Sequence, residues 1–301
     1  MPFPVRFHVL TLPNRPWPDL RAQVKELERL GFDAAVTGDH FCDWANPSEP
    51  WFEAWTLLSA LACETSSIRL APNVAQIPLR NPAVLAHQAV TLDHVSDGRL
   101  DLGLGTGLTI DPSTEMVGLP NWSNAERVAR FGEYVELVSL LVSQPVTSFT
   151  GEYYSANNAV MNPGSLQQPR IPIVVAALGP IMMGHAARHA DTWNTMSFDP
   201  DFSNQGDELA DRNVQMDNLC ESIGRDPATL RRSVNLFDAE ARAAGGNLRY
   251  YDDDELFVEL VAGLIEAGYT DIGLYHPNTA HQDEAFARVA TEVVPRLKTD
   301  G

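Results

Sequence analysis

The stretch NPAVLAHQAVTLDHVSDGRLDLGLGTG, residues 81–107, decides the reading of the fold. From Val84 to Val95 its apolar side chains recur three and four residues apart, which lines them along one face of a helix. Gly98 follows where a left-handed helix-capping residue is wanted. Leu100 to Gly105 is then a short apolar run of strand length, closed by the turn Gly105-Thr106-Gly107. A helix that feeds a short strand ending in a glycine turn is one beat of a parallel α/β repeat.

Working outward, the same beat recurs about eight times, as expected for parallel strands joined by crossover helices. Candidate strands are Val5 to Leu10, Ala34 to Gly38, Ile68 to Val74, Leu100 to Gly105, Ile173 to Ala177, Thr192 to Met196, Ser233 to Phe237 and Ile272 to Tyr275. Leu20 to Leu30 places Leu20, Val24, Leu27 and Leu30 on one face, and Trp55 to Ala62 carries a comparable stripe. The expectation is a single (β/α)8 barrel domain, a TIM barrel, over residues 1–301, with loop insertions at the C-terminal face of its strands. Ser143 to Arg170 reads as a polar insertion with a small hairpin around Thr150 to Glu152, and Ser197 to Gly206 as an irregular segment able to cover the barrel mouth.

Composition agrees with one globular core. The 301 residues are 44% hydrophobic and 20% charged, and a barrel of this kind takes about 250 residues before insertions. Forty acidic against 21 basic side chains give a net charge of −19, which repels polyanions and argues against nucleic-acid binding or an anionic membrane surface. Cys42, Cys63 and Cys220 are too few and too scattered for a disulfide framework or a zinc site. The start, MPFPVRFHVL, lacks the basic-then-apolar pattern of an export signal, so a cytoplasmic protein with reduced thiols is expected.

In such a barrel, chemistry is assembled from the loops that follow the strands. After the second strand come Asp39 and His40, a carboxylate beside an imidazole, a pair that serves either as a satisfied structural contact or as acid–base machinery. Trp44, in a loop too irregular for helical core, either walls a flat ligand or closes its loop. Gly103, Gly105 and Gly107 have the wrong spacing for a dinucleotide fingerprint; they let backbone approach a ligand or let the strand turn sharply. Ala176 to Pro180 is a small-residue turn ahead of the helical Ile181 to His189, whose free N–H groups can hold a phosphate. His185 and His189 share a helix face but have no third ligand nearby in sequence, so no metal site is expected.

Several blocks, taken in order, resemble the luciferase-like superfamily in the branch that uses the deazaflavin coenzyme F420. They are ERLGFDAAVTGDHF, TLLSALACETSSIRLAPNV, NPAVLAHQAVTLDHVSDGRLDLGLGTG and PIVVAALGPIMMGHAARHADTWN. The resemblance implies a (β/α)8 barrel with the tricyclic ring at the C-terminal strand ends, lined by Asp39, His40 and Trp44. It also implies a non-proline cis peptide at Asn73-Val74 behind the ring. Gly105, Thr106 and Gly107 would contact the ring or ribityl chain, and Ala177, Leu178, Gly179 and Pro180 would hold the phosphate.

One departure stands out. Glucose-6-phosphate dehydrogenases of this branch carry a Glu just after the glycine turn, where this chain reads Gly107-Leu108-Thr109. His40 is therefore the expected proton donor or acceptor, oriented by Asp39. The implied activity is hydride transfer between F420 and a small organic substrate, in a homodimer. The alternatives are an FMN-dependent luciferase-like monooxygenase and a flavin-binding protein without turnover.

Overall fold

A computed structural model describes residues 3–244 and 246–300. The strands are β1 (Arg6–Leu10), β2 (Ala34–Thr37), β3 (Arg69–Pro72), β4 (Ala75–Gln76), β5 (Leu102–Gly105), β6 (Val146–Thr150), β7 (Ser155–Val160), β8 (Ile173–Ala176), β9 (Thr192–Thr195), β10 (Arg231–Asn235) and β11 (Asp271–Tyr275). Nine of them form one sheet in the order β3-β2-β1-β11-β10-β9-β8-β5-β4, with β6 and β7 apart as an antiparallel pair. The chain has the α/β, (β/α)8 barrel fold expected of it. β3 and β4 are the two ends of that order yet are separated in sequence only by Asn73 and Val74, so one barrel strand is split there: β4 pairs with β5, while the Asn73 amide donates to the Thr37 carbonyl at 2.7 Å.

All eight expected strands are present, most within two residues of their expected ends. The seventh lies at Arg231–Asn235, two residues earlier than expected, and Arg231 at its start is held by backbone hydrogen bonding to Asp191. The expected hairpin is β6–β7, with its turn at residues 151–154. Ser197 to Gly206 is irregular only to Asp201. There the Asp201 side chain accepts from the Ser203 amide and starts the helix Phe202–Ser222, so the second half of the expected cover is helix.

The chain forms two compact units. One comprises the residues up to Thr11, Glu26–Ala35 and the chain from Ala177 on; the other comprises Leu12–Lys25 and Val36–Ala176. In the first, β1 pairs with β11 and β10 with both β11 and β9, all parallel. Phe7 and Val9 of β1 are fully buried, and His8, between them on the opposite face, is buried as well. Such burial on both faces marks a parallel sheet covered on each side. In the second unit, β5 pairs with β8 and the helix Pro82–Val95 packs against the helix Asn124–Ser143; Leu85 and Ala89 on the first and Phe131 and Val138 on the second are buried. Asn81 caps the first of these helices by accepting from the Ala83 amide, and Ser123 caps the second by accepting from the Glu126 amide. No helix among the described residues is long and apolar enough to cross a membrane.

Candidate active site

The ends of β2, β4 and β5 bring together a polar cluster within the second unit. β2 ends at Thr37, and Asp39 and His40 follow directly. The Asp39 side chain is buried and ion-paired with Arg80, which also reaches Glu53 at 2.6 Å and lies over the Trp55 ring. Arg80 is itself fixed by the Tyr134 hydroxyl, which donates to its carbonyl at 3.1 Å. Burial pushes the Asp39 carboxyl above its ordinary value, against the pull of Arg80.

The carboxylate that meets His40 is not Asp39 but Asp111. His40 Nδ1 lies 2.6 Å from Asp111 Oδ2, with the imidazole 18% exposed and the carboxylate 0%. Asp39 was expected in that role; its carboxylate instead belongs to Arg80. Asp111 also accepts from the Ser113 amide at 2.8 Å and from Gln76 Nε2 at 3.1 Å. Burial alone would raise the Asp111 carboxyl, but the hydrogen bonds from His40, Ser113 and Gln76 outweigh it and hold the group well below the usual carboxylate range.

These contacts fix a tautomer. Gln76 Nε2 faces two oxygens that only accept, the Asp39 carbonyl at 2.8 Å and the Asp111 carboxylate, so both its hydrogens are used there. Its 2.8 Å approach to His40 Nδ1 is then a contact without a shared hydrogen. An ionised Asp111 requires a donor, so Nδ1 carries the proton. Nε2 makes no hydrogen bond among the described residues. The His40 ring meets Trp51 edge-on at 5.8 Å between centroids, and the buried Trp51 indole N–H has no hydrogen-bond partner.

The expected cis peptide at Asn73-Val74 is present. It sits directly against the glycine turn: a Cβ at Gly105 would fall 2.3 Å from Val74 Cγ2, so only glycine lets the two strands close. Gly107 has φ +71°, and a Cβ there would strike Gln76 Oε1 at 2.3 Å. Arg127, buried on the helix Asn124–Ser143, ties the turn down by donating to the Thr106 carbonyl at 2.9 Å and to the Trp122 carbonyl at 2.9 Å. Asn73, Val74, Gly105, Thr106 and Gly107 are thus assembled with Asp39 and His40. Trp44 is half-buried in the loop after them, and the indole against His40 is that of Trp51.

Ala177, Leu178, Gly179 and Pro180 lie in the first unit, between β8 and the helix Pro180–His189. The Ala177 amide donates to the Asn194 carbonyl at 2.9 Å, and the Trp193 indole donates to the Ala177 carbonyl at 2.9 Å. Gly179 caps the helix without a side chain, leaving the first-turn N–H groups uncovered by any cap. Among the described residues, no group of three or more His, Cys, Asp or Glu side chains is placed to hold a metal.

Fold and site together define an α/β-barrel protein with an imidazole–carboxylate pair at its strand ends. The sequence pattern of the luciferase-like monooxygenase family matches residues 3–248, and the chain belongs to that family. It is 27% identical over 317 residues, covering 91% of each chain, to a protein of Kineococcus radiotolerans named F420-dependent glucose-6-phosphate dehydrogenase. It is 33% identical over 248 residues to a protein of the same name from Intrasporangium calvum, covering 79% of this chain and 71% of that one. Among solved structures it resembles an F420-dependent secondary alcohol dehydrogenase in complex with an F420-acetone adduct. The TM-score is 0.82 at 16% identity, over 98% of this chain and 99% of the other.

Asp111, Gln76 and Trp51 were not legible as site residues. The only trace of Asp111 in sequence is Asp111-Pro112-Ser113, a helix-start signal that would suggest a cap and nothing more.

Proposed function

We propose that this chain is an F420-dependent oxidoreductase that transfers hydride between the deazaflavin and a small organic substrate, with His40 handling the proton. The observation that carries the reading is the His40 imidazole, held at Nδ1 by the enclosed Asp111 carboxylate at 2.6 Å and open at Nε2. The names of the relatives point to the same cofactor. The residues present fit a planar ring with a polar edge. The unpartnered Trp51 N–H and His40 Nε2 supply a donor and an acceptor, and the glycine turn at residues 105–107 keeps side chains out of the way.

When bound, the deazaflavin supplies a two-electron hydride acceptor or donor. Asp39, Asn73, Val74, Gly105, Thr106 and Gly107 would hold the ring, with Trp44 along it. The expectation of a phosphate at Ala177, Leu178, Gly179 and Pro180 stands on the resemblance and on the bare helix start in their own unit. His40 Nε2 takes the proton of a substrate hydroxyl as its carbon loses hydride, and returns a proton in the opposite direction. Asp39 is held on Arg80 and so keeps the loop bearing His40 in place. The sugar phosphate named in the relatives is not carried over, because Leu108 and Thr109 stand where that branch has an acid. Residues 1–301 as one barrel domain, a homodimer and a cytoplasmic setting complete the reading.

Spectral titration of the purified protein with F420 and, separately, with FMN tests it. F420 is expected to bind at least tenfold more tightly. Tighter binding of FMN replaces this function with a flavin monooxygenase, and F420 binding with no turnover on a panel of alcohols and carbonyls leaves a binding protein.

A further inference from the structure

The geometry points to Asp111 as the positioning residue that sets the proton on His40 Nδ1 and so makes Nε2 the working base. This assignment rests on the proton-handling role given above to His40.

Asp111 is suited to the task in three ways. Its carboxylate is entirely enclosed, so the bond to Nδ1 at 2.6 Å is shielded from competing water. Its other oxygen is occupied by the Ser113 amide at 2.8 Å, and this anchors the carboxylate to the first turn of the helix Ser113–Met116. Gln76 Nε2 then bridges the Asp39 carbonyl and Asp111, which ties the loop after β2 to the loop after the glycine turn. Three segments distant in sequence therefore converge on one imidazole nitrogen.

The charged groups around the imidazole are few. Asp39 is neutralised by Arg80, which also carries Glu53. Arg127, on the helix behind the glycine turn, bonds backbone carbonyls and Asn121 and feels the charge of Asp111 from a distance. Among the described residues, Asp111 is the ionisable group hydrogen-bonded to the ring.

Asp111→Asn discriminates this role from simple packing. With the new Oδ1 still accepting from the Ser113 amide, the amide nitrogen faces His40 Nδ1 as a donor. That forces Nδ1 to accept and moves the proton to Nε2. Long-range proton–nitrogen correlation spectra of the protein with labelled histidine read the tautomer without any cofactor. The wild type should show His40 protonated at Nδ1, and Asp111→Asn should show it protonated at Nε2. In the holoenzyme, with 2-propanol or acetone as probe, Asp111→Asn should lower kcat at least tenfold while F420 affinity stays within twofold. Its acid limb should move to lower pH, and Asp111→Glu should recover part of the rate.

A wild-type His40 protonated at Nε2 and not at Nδ1, or a tautomer unchanged by Asp111→Asn, overturns the assignment. If F420 fails to bind, the function proposed above fails while the tautomer measurement still decides the role of Asp111.

Discussion

An imidazole meets a carboxylate in each unit, His8 with Asp271 in the first and His40 with Asp111 in the second, and the two pairs differ at the second ring nitrogen. His8 Nδ1 meets Asp271 at 2.8 Å and its Nε2 meets Asn235 Oδ1 at 3.0 Å, with both side chains buried. His40 Nδ1 meets Asp111 at 2.6 Å, but its Nε2 has no such partner and the ring is partly exposed. The register explains the first pair. Gly273 lies opposite both His8 and Asn235 on the neighbouring strands, and its missing side chain lets them bond across β11. The pairs teach that a histidine beside an acid is neither structural nor chemical by composition. The state of the second ring nitrogen decides, because a fully bonded buried imidazole has nothing left to offer a substrate.

The comparison can be broken most forcefully at Asp271. Burial would raise this carboxyl, but Arg6 and His8 hold it well below its ordinary range. Asp271→Asn removes one partner of a buried ionic cluster and is expected to destabilise the protein by about 3–5 kcal/mol in denaturant titration. A loss under 1 kcal/mol would mean that the His8 pair is not structural. Gly273→Ala comes next. Its Cβ would fall 2.3 Å from His8 Nε2 and 2.5 Å from Asn235 Oδ1, and overpacking of this kind costs about 1–3 kcal/mol. The thermal midpoint should drop by several degrees.

His40→Ala should do the reverse. Turnover is expected to fall at least tenfold, about 1.4 kcal/mol of barrier, with F420 affinity and the thermal midpoint little changed. Full activity in this variant would remove His40 from the mechanism and with it the contrast between the pairs. The smallest effect is that of pH on stability. Asp111 and Asp271 have folded values below their unfolded value of about 3.9. Their contribution is therefore complete at neutral pH and lost as pH falls below about 4. Asp39, raised by burial, acts in the opposite sense and blunts the loss. Denaturant midpoints between pH 6 and pH 3 should fall in the wild type and fall less in Asp271→Asn.

Much of the barrel was legible because its signal is local. The helix at residues 82–95 and the strand that follows it alternate at the right periods, and the turn at residues 105–107 announces itself by glycine. The helix Phe202–Ser222 was partly misread as cover because its first turn, Phe202 to Gly206, is polar and carries a glycine. Asp39 and His40 were legible by their place after a strand. Asp111 was not, since it lies 71 residues from His40 along the chain and nothing near it in sequence announces an imidazole.

Sequence by itself determined the parallel α/β repeat, the strand ends where the polar cluster gathers and the place of the cis peptide, since these follow from periodicity and from family-like blocks within short windows. Tertiary structure alone decided which acid serves which base. Asp39 turned to Arg80 and Asp111 turned to His40 because hydrogen-bond partners are chosen by where folded loops meet, and that distance is not written in the spacing of residues.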